Sequence, residues 1–73
     1  MESNEDALRR FGARLSMLRQ QKKMTIRDLS LASGLEPGQI ERIEEGKVNF
    51  LFTTILALAK GLDTDPGELL ETL

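Results

Sequence analysis

The sequence predicts an all-α domain of five short helices, and three observations predict it. Apolar residues recur at spacings of three and four along most of the chain, which is the period of a helix with one buried face. Residues that cap helices stand just ahead of those stretches: Ser3 or Asn4 before Glu5 and Asp6, Thr25 with Asp28 three positions on, and Asp65 with Pro66 and Glu68. Gly34 and Gly46 follow apolar stretches where a helix needs a residue that takes positive φ, and Pro37 stands where a first helical turn tolerates a missing N–H. With 73 residues the chain makes one domain, near the lower limit for a core that is stable alone.

The first helix carries Leu8, Phe11, Leu15 and Leu18 as its apolar stripe and runs to Lys22 or Lys23, whose charges suit a helix C-terminus. Residues 1–10 form an N-terminal extension, frayed or added as extra turns of this helix, and residues 11–73 form the domain. A second helix starts at Ile26 behind the Thr25 cap. Ile26, Leu29 and Ala32 lie on its inner face, with Arg27 and Asp28 toward water. Gly34 ends it and Leu35 plugs into the core. The third helix opens at Pro37, buries Ile40 and Ile43, and closes at Gly46. The connection that follows holds an apolar cluster of Phe50, Leu51 and Phe52. Phe52, Ile55, Leu56, Ala59 and Leu62 make an inner stripe for the fourth helix, which leaves Phe50 or Leu51 at the surface. Gly61 weakens the last turn of that helix. The fifth, capped by Asp65, holds Leu69, Leu70 and Leu73.

Composition excludes several function classes. The net charge of −2 argues mildly against nucleic acid, but its distribution is uneven: every charged residue from Arg9 to Arg27 is basic, and carboxylates dominate from Asp28 onward. A basic surface on the first helix is the expectation. With no His, Cys or Tyr, the commonest general bases and nucleophiles are missing, so an enzyme is not expected. Glu44 and Glu45 are adjacent and face different sides of a helix, unlike a catalytic dyad. Asp63 and Asp65 read as a turn and a cap rather than a metal site. No cofactor, metal or small-molecule ligand is expected. The absence of Cys, of a membrane-length apolar run and of a secretory leader points to the cytoplasm.

Residues 25–46, TIRDLSLASGLEPGQIERIEEG, place two short helices around a tight turn, and with ARLSMLRQQKKMT before them and TTILALAKGL and DPGELL after, they resemble the Cro and lambda repressor type of helix-turn-helix, the xenobiotic-response-element family of bacterial and phage transcription regulators. The resemblance implies a compact lambda repressor-like DNA-binding domain with its motif at 25–46. It implies a homodimeric, repressor-like regulator of double-stranded DNA whose recognition helix, residues 37–45, enters the major groove. Pro37, Gly38, Gln39 and Arg42 are the candidate base-reading residues, Arg42 because its guanidinium matches guanine O6 and N7. Arg27 and Lys47 are candidate phosphate contacts. Arg19 and Glu44 match a structural ion pair between the first and third helices. Phe50, Leu51, Leu70 and Leu73 are candidates for the dimer surface.

The chain also departs from the family pattern. Ile26 stands where many members carry a phosphate-binding Gln, Pro37 and Gly38 replace polar side chains, and Glu36, Glu41 and Glu45 repel phosphates unless one accepts from a cytosine amino group. These departures keep open an alternative on the same scaffold, a protein-interaction or antitoxin-like module.

Overall fold

The computed structural model describes residues 3–71 and 73, and among them it contains five helices and no strand. They are α1 (Asn4–Gln21), α2 (Ile26–Ser33), α3 (Pro37–Glu44), α4 (Phe52–Leu62) and α5 (Pro66–Leu69). The last is shorter than expected: it is a single turn that holds Leu69, with Leu70 at its C-cap and Leu73 beyond it. The expectation for the N-terminal extension falls partly on Met1 and Glu2, outside the described residues; from Asn4 onward the segment belongs to α1. Ser3 caps it, its hydroxyl accepting from the Asp6 N–H at 3.1 Å.

Local chemistry sets the helix ends. Thr25 and Asp28 form a reciprocal box: the Thr25 N–H donates to Asp28 Oδ2 at 2.9 Å, and the Asp28 N–H donates to Thr25 Oγ1 at 3.0 Å. Asp65 caps α5 through the Gly67 N–H at 2.8 Å. Left-handed residues close α2 at Gly34 (φ 81°) and follow α3 at Gly46 (φ 73°). Two non-glycine residues adopt the same conformation, Lys23 after α1 (φ 58°) and Asp63 after α4 (φ 54°). Each is held by a pair of backbone bonds back into its helix, Lys23 N–H to Gln20 O with Met24 N–H to Arg19 O, and Asp63 N–H to Lys60 O with Thr64 N–H to Ala59 O.

The core lies where α1, α2, α3 and α4 meet, filled by Phe11, Leu15, Leu29, Ile40, Ile43 and Leu58, with Leu69 of α5 beneath. α2 packs chiefly on α4, and α1 on α3. Glycines permit both approaches. A Cβ on Gly12 would stand 2.4 Å from Ile43 O and 2.5 Å from Glu44 O, so α1 and α3 touch backbone to backbone. A Cβ on Gly61 would meet Leu29 Cδ1 at 2.9 Å and Ser33 Cβ at 3.0 Å. Gly61 is therefore the point where α4 comes close to α2, more than a weak spot in a helix.

Two inner faces differ from the sequence expectation. On α4, Phe52 is 65% exposed and Leu56 41%, while Thr54 and Leu58 are buried beside Ile55, Ala59 and Leu62. Lys60 marks the outer side of this helix, and Thr53 and Leu56, seven and four residues before it, share that side, while Gly61 sets the close approach to α2. On α2, Ala32 is exposed. The inner face continues from Leu29 through the half-buried Ser30 and Ser33, whose small side chains admit α4 and the chain entering α3. Of the apolar cluster, Phe50 turns inward, its ring edge-to-face with Phe11 at a centroid distance of 4.6 Å, and Leu51 is left 73% exposed.

Candidate nucleic-acid interface

The turn between α2 and α3 is a short hydrogen-bonded unit. The Gly34 N–H donates to Ser30 O at 2.9 Å, the Ser30 hydroxyl donates to Leu35 O, and the Leu35 N–H donates to Ser33 Oγ at 3.2 Å. Leu35 packs partly buried against the core, and Glu36, in extended conformation, leads into Pro37 at the first position of α3. The Asp28 carboxyl at the opposite end of α2 is held below its ordinary pKa because it accepts from the Thr25 backbone N–H and bonds with the Thr25 hydroxyl.

The rotation of α3 is set from three sides. Ile40 and Ile43 are wholly buried. Gly12 lets α1 press on the backbone of Ile43 and Glu44. Arg19 of α1 then grips Glu44 with both prongs, Nε to Oε2 at 2.7 Å and Nη2 to Oε1 at 3.0 Å, while its Nη1 donates to Met24 O at 2.7 Å. Both side chains of this pair are nearly buried, 12% and 10% exposed, and hydrogen bonding to Glu44 raises the guanidinium pKa above its ordinary value. After α3, Gly46 lies against Arg9, where a Cβ would sit 2.7 Å from Arg9 Cγ.

That rotation turns Pro37, Glu41, Arg42 and Glu45 outward, with Gly38 and Gln39 half-exposed beside them. The candidate base-reading residues thus lie together on one solvent face of α3. Arg27 is exposed in the first turn of α2, and Lys47 just past α3, where its ammonium lies 3.5 Å from Glu45 Oε2. Glu41, Glu44 and Glu45 line an open cleft with Ser16, Arg19 and Ile26, so the flank of α3 that faces α1 is acidic. Among the dimer candidates, Leu51 and Leu73 are exposed, whereas Phe50 and Leu70 are partly buried against the core.

The basic stretch of α1 is less of a surface than the sequence suggests. Arg19 is bound inward, and Arg14 donates to Glu68 O at 2.8 Å and to Glu71 Oε2 at 2.6 Å, which ties α1 to α5. Arg9 pairs with Asp6, and Lys22 reaches Asp63 O at 3.4 Å. Sequence reasoning missed Gly12 as a positioning residue; a glycine inside a regular apolar stripe was the available signal. It also missed Phe52 as a surface residue; Lys60, two turns further on the same side of α4, was the available signal.

No group of three or more potential ligands for a metal ion occurs among the described residues, and no helix there is long and apolar enough to cross a membrane. No curated protein matches the chain. Among solved structures it is similar to the restriction-modification controller protein C.AhdI from Aeromonas hydrophila, at 39% identity over 85% of this chain and 94% of that one, with a TM-score of 0.83. It is similar to the wild-type restriction-modification controller protein C.Esp1396I at 26% identity over 90% and 87%, TM-score 0.83. A third likeness is to the clp gene regulator ClgR from C. glutamicum, at 25% identity over 89% and 84%, TM-score 0.83. The family model of the Cro/C1-type helix-turn-helix DNA-binding domain matches residues 14–73, from the middle of α1 through α5, and the chain belongs to that family.

Proposed function

We propose that the protein is a homodimeric, repressor-like transcription regulator that lays α3 into the major groove of double-stranded DNA in the cytoplasm. The observation that carries the reading is the fixed rotation of α3: Ile40, Ile43 and the Arg19–Glu44 pair face inward, so Arg42 faces out with its donors available. Arg42, with Pro37, Gly38 and Gln39 beside it, is assigned to base edges, and Arg27 and Lys47 to phosphates. The two recognition helices of a dimer would meet half-sites about one helical turn, roughly 34 Å, apart. The likeness to C.AhdI supports a restriction-modification locus as the regulated target.

The carboxylates on α3 shape how such a protein binds. Glu36, Glu41 and Glu45 oppose phosphates, which weakens binding to DNA in general and leaves affinity dependent on the correct base contacts. In a labelled-duplex assay across a salt series, affinity for a selected site falls steeply as salt rises. Arg42→Ala weakens that site by about 1–3 kcal/mol more than random DNA, while Lys47→Ala weakens all sequences alike and lowers the salt slope by about one. Unmeasurable binding at low salt removes this reading.

The acidic flank of α3 favours a second reading, a protein-interaction or antitoxin-like module that receives a basic partner. Glu41→Ala with Glu45→Ala separates the two. Stronger DNA binding with loss of a co-purifying protein supports the second.

A further inference from the structure

Arg42 is on the exposed side of α3, yet its guanidinium does not project straight out from its own turn. A Cβ built on Gly38 would stand 3.4 Å from Arg42 Nη1, so the side chain runs back along the helix and rests over the bare backbone one turn earlier. Helical side chains lean toward the N-terminus, and four residues of rise carry this one about 6 Å in that direction. The guanidinium keeps its donors there. Among the described residues Arg42 makes no side-chain hydrogen bond or ion pair, although Glu41 and Glu45 stand on either side of it in the sequence. No side chain caps the first turn of α3, and Gly38 brings none that competes for the place.

We propose, building on the regulator reading, that Gly38 is a specificity-determining residue and that Gly38 and Arg42 act as one reading unit. Gly38 supplies the space and Arg42 the donors, and together they address a guanine opposite the first turn of α3 instead of the base pair opposite the turn that carries Arg42. The planar fork suits the O6 and N7 acceptors of guanine, and the missing side chain at 38 lets it approach flat against the helix. A longer polar side chain at 38 takes that position with its own donor and acceptor pattern and displaces the guanidinium toward the C-terminal end of α3, just before Glu45.

Binding-site selection from random duplex DNA tests this, run on the unaltered protein, Arg42→Ala, Gly38→Ala, Gly38→Gln and the double variant Gly38→Gln/Arg42→Ala, each checked for helical content and cooperative melting. The unaltered protein selects a guanine at one position per half-site, and Arg42→Ala relaxes that position by about ten- to hundredfold. Gly38→Ala keeps the guanine, because its Cβ makes only ordinary contact with Nη1, and melts at a higher temperature because alanine is the better helix residue. Gly38→Gln changes the preference at that same base pair, and adding Arg42→Ala to it has little further effect. The proposal is overturned if Gly38→Gln and Arg42→Ala alter different base pairs or act independently. It is also overturned if Arg42→Ala weakens every sequence equally, which places the guanidinium on phosphate while leaving the regulator reading intact. An unaltered protein that selects no sequence refutes both.

Discussion

At Gly12 a methyl group has nowhere to go, because the atoms it meets are backbone carbonyls of α3 and cannot rotate aside. Gly12→Ala must push α1 and α3 apart, and a destabilisation of about 3 kcal/mol or more in urea unfolding is expected, at the upper end of overpacking effects. The same displacement tilts α3, so DNA affinity falls even where the variant remains folded. Arg19 and Glu44 behave differently. The pair is nearly buried, so Arg19→Met leaves a carboxylate inside without its partner and costs about 3 kcal/mol. The double variant Arg19→Met/Glu44→Leu recovers most of that loss, since two apolar side chains need no partner. A double variant no more stable than Arg19→Met alone contradicts this account. The residue types of this pair stand in the sequence at matching places. Their burial does not, because it depends on how closely Gly12 lets the two helices come.

Helix starts were the most legible features, since an N-cap is a local bond between a side chain and an N–H two or three residues away. Ser3, Thr25 with Asp28, and Asp65 with Pro66 all stand at helix starts. The Thr25 box also makes stability depend on pH. Asp28 has a lowered pKa in the folded chain, so the unfolded chain binds the proton more readily. The cap's contribution is therefore complete above the ordinary Asp value of about 4 and is lost as pH falls through the lower folded value. Melting temperatures followed by circular dichroism between about pH 5 and 2 should drop, and Asp28→Asn should flatten part of that drop. Asp6, lowered in the same direction through the Ser3 hydroxyl, accounts for a further part. Helix rotations were less legible. α3, with two isoleucines among polar residues, admits one inner face. α4 has Thr53 and Lys60 as a thin polar side, and Phe52 and Leu56, which a count of apolar residues puts inside, fall on that side and lie outside.

On the scale of the whole molecule, those outward side chains acquire a meaning. The described chain has a radius of gyration of 11.1 Å, close to the roughly 11 Å of a compact domain this long, yet it leaves apolar side chains in the open. Leu51, Phe52 and Leu56 lie together at the start and along one side of α4 and are 73%, 65% and 41% exposed. A domain this small gains from covering such a surface with a second copy. We therefore expect a dimer by sedimentation, a melting temperature that rises with protein concentration, and a monomer from Phe52→Glu with its helical content retained. Monomeric behaviour of the unaltered protein at high concentration removes the homodimer and leaves the fold unchanged.

The sequence by itself determined the number, order and starts of the helices and the inward turn of Ile40 and Ile43, because caps, helix-closing glycines and a sharp apolar stripe act over a few residues; the end of α5, which carries no such signal, it did not. Only the tertiary structure decided that Ala32 of α2 lies outside while Ser30 and Ser33 lie against α4 and the turn, that Arg14 and Arg19 are drawn off the surface, and that Arg42 lies back over Gly38. Those outcomes depend on how near two backbones can come, at Gly12 between α1 and α3 and at Gly61 between α4 and α2, and no property of a single segment contains that distance.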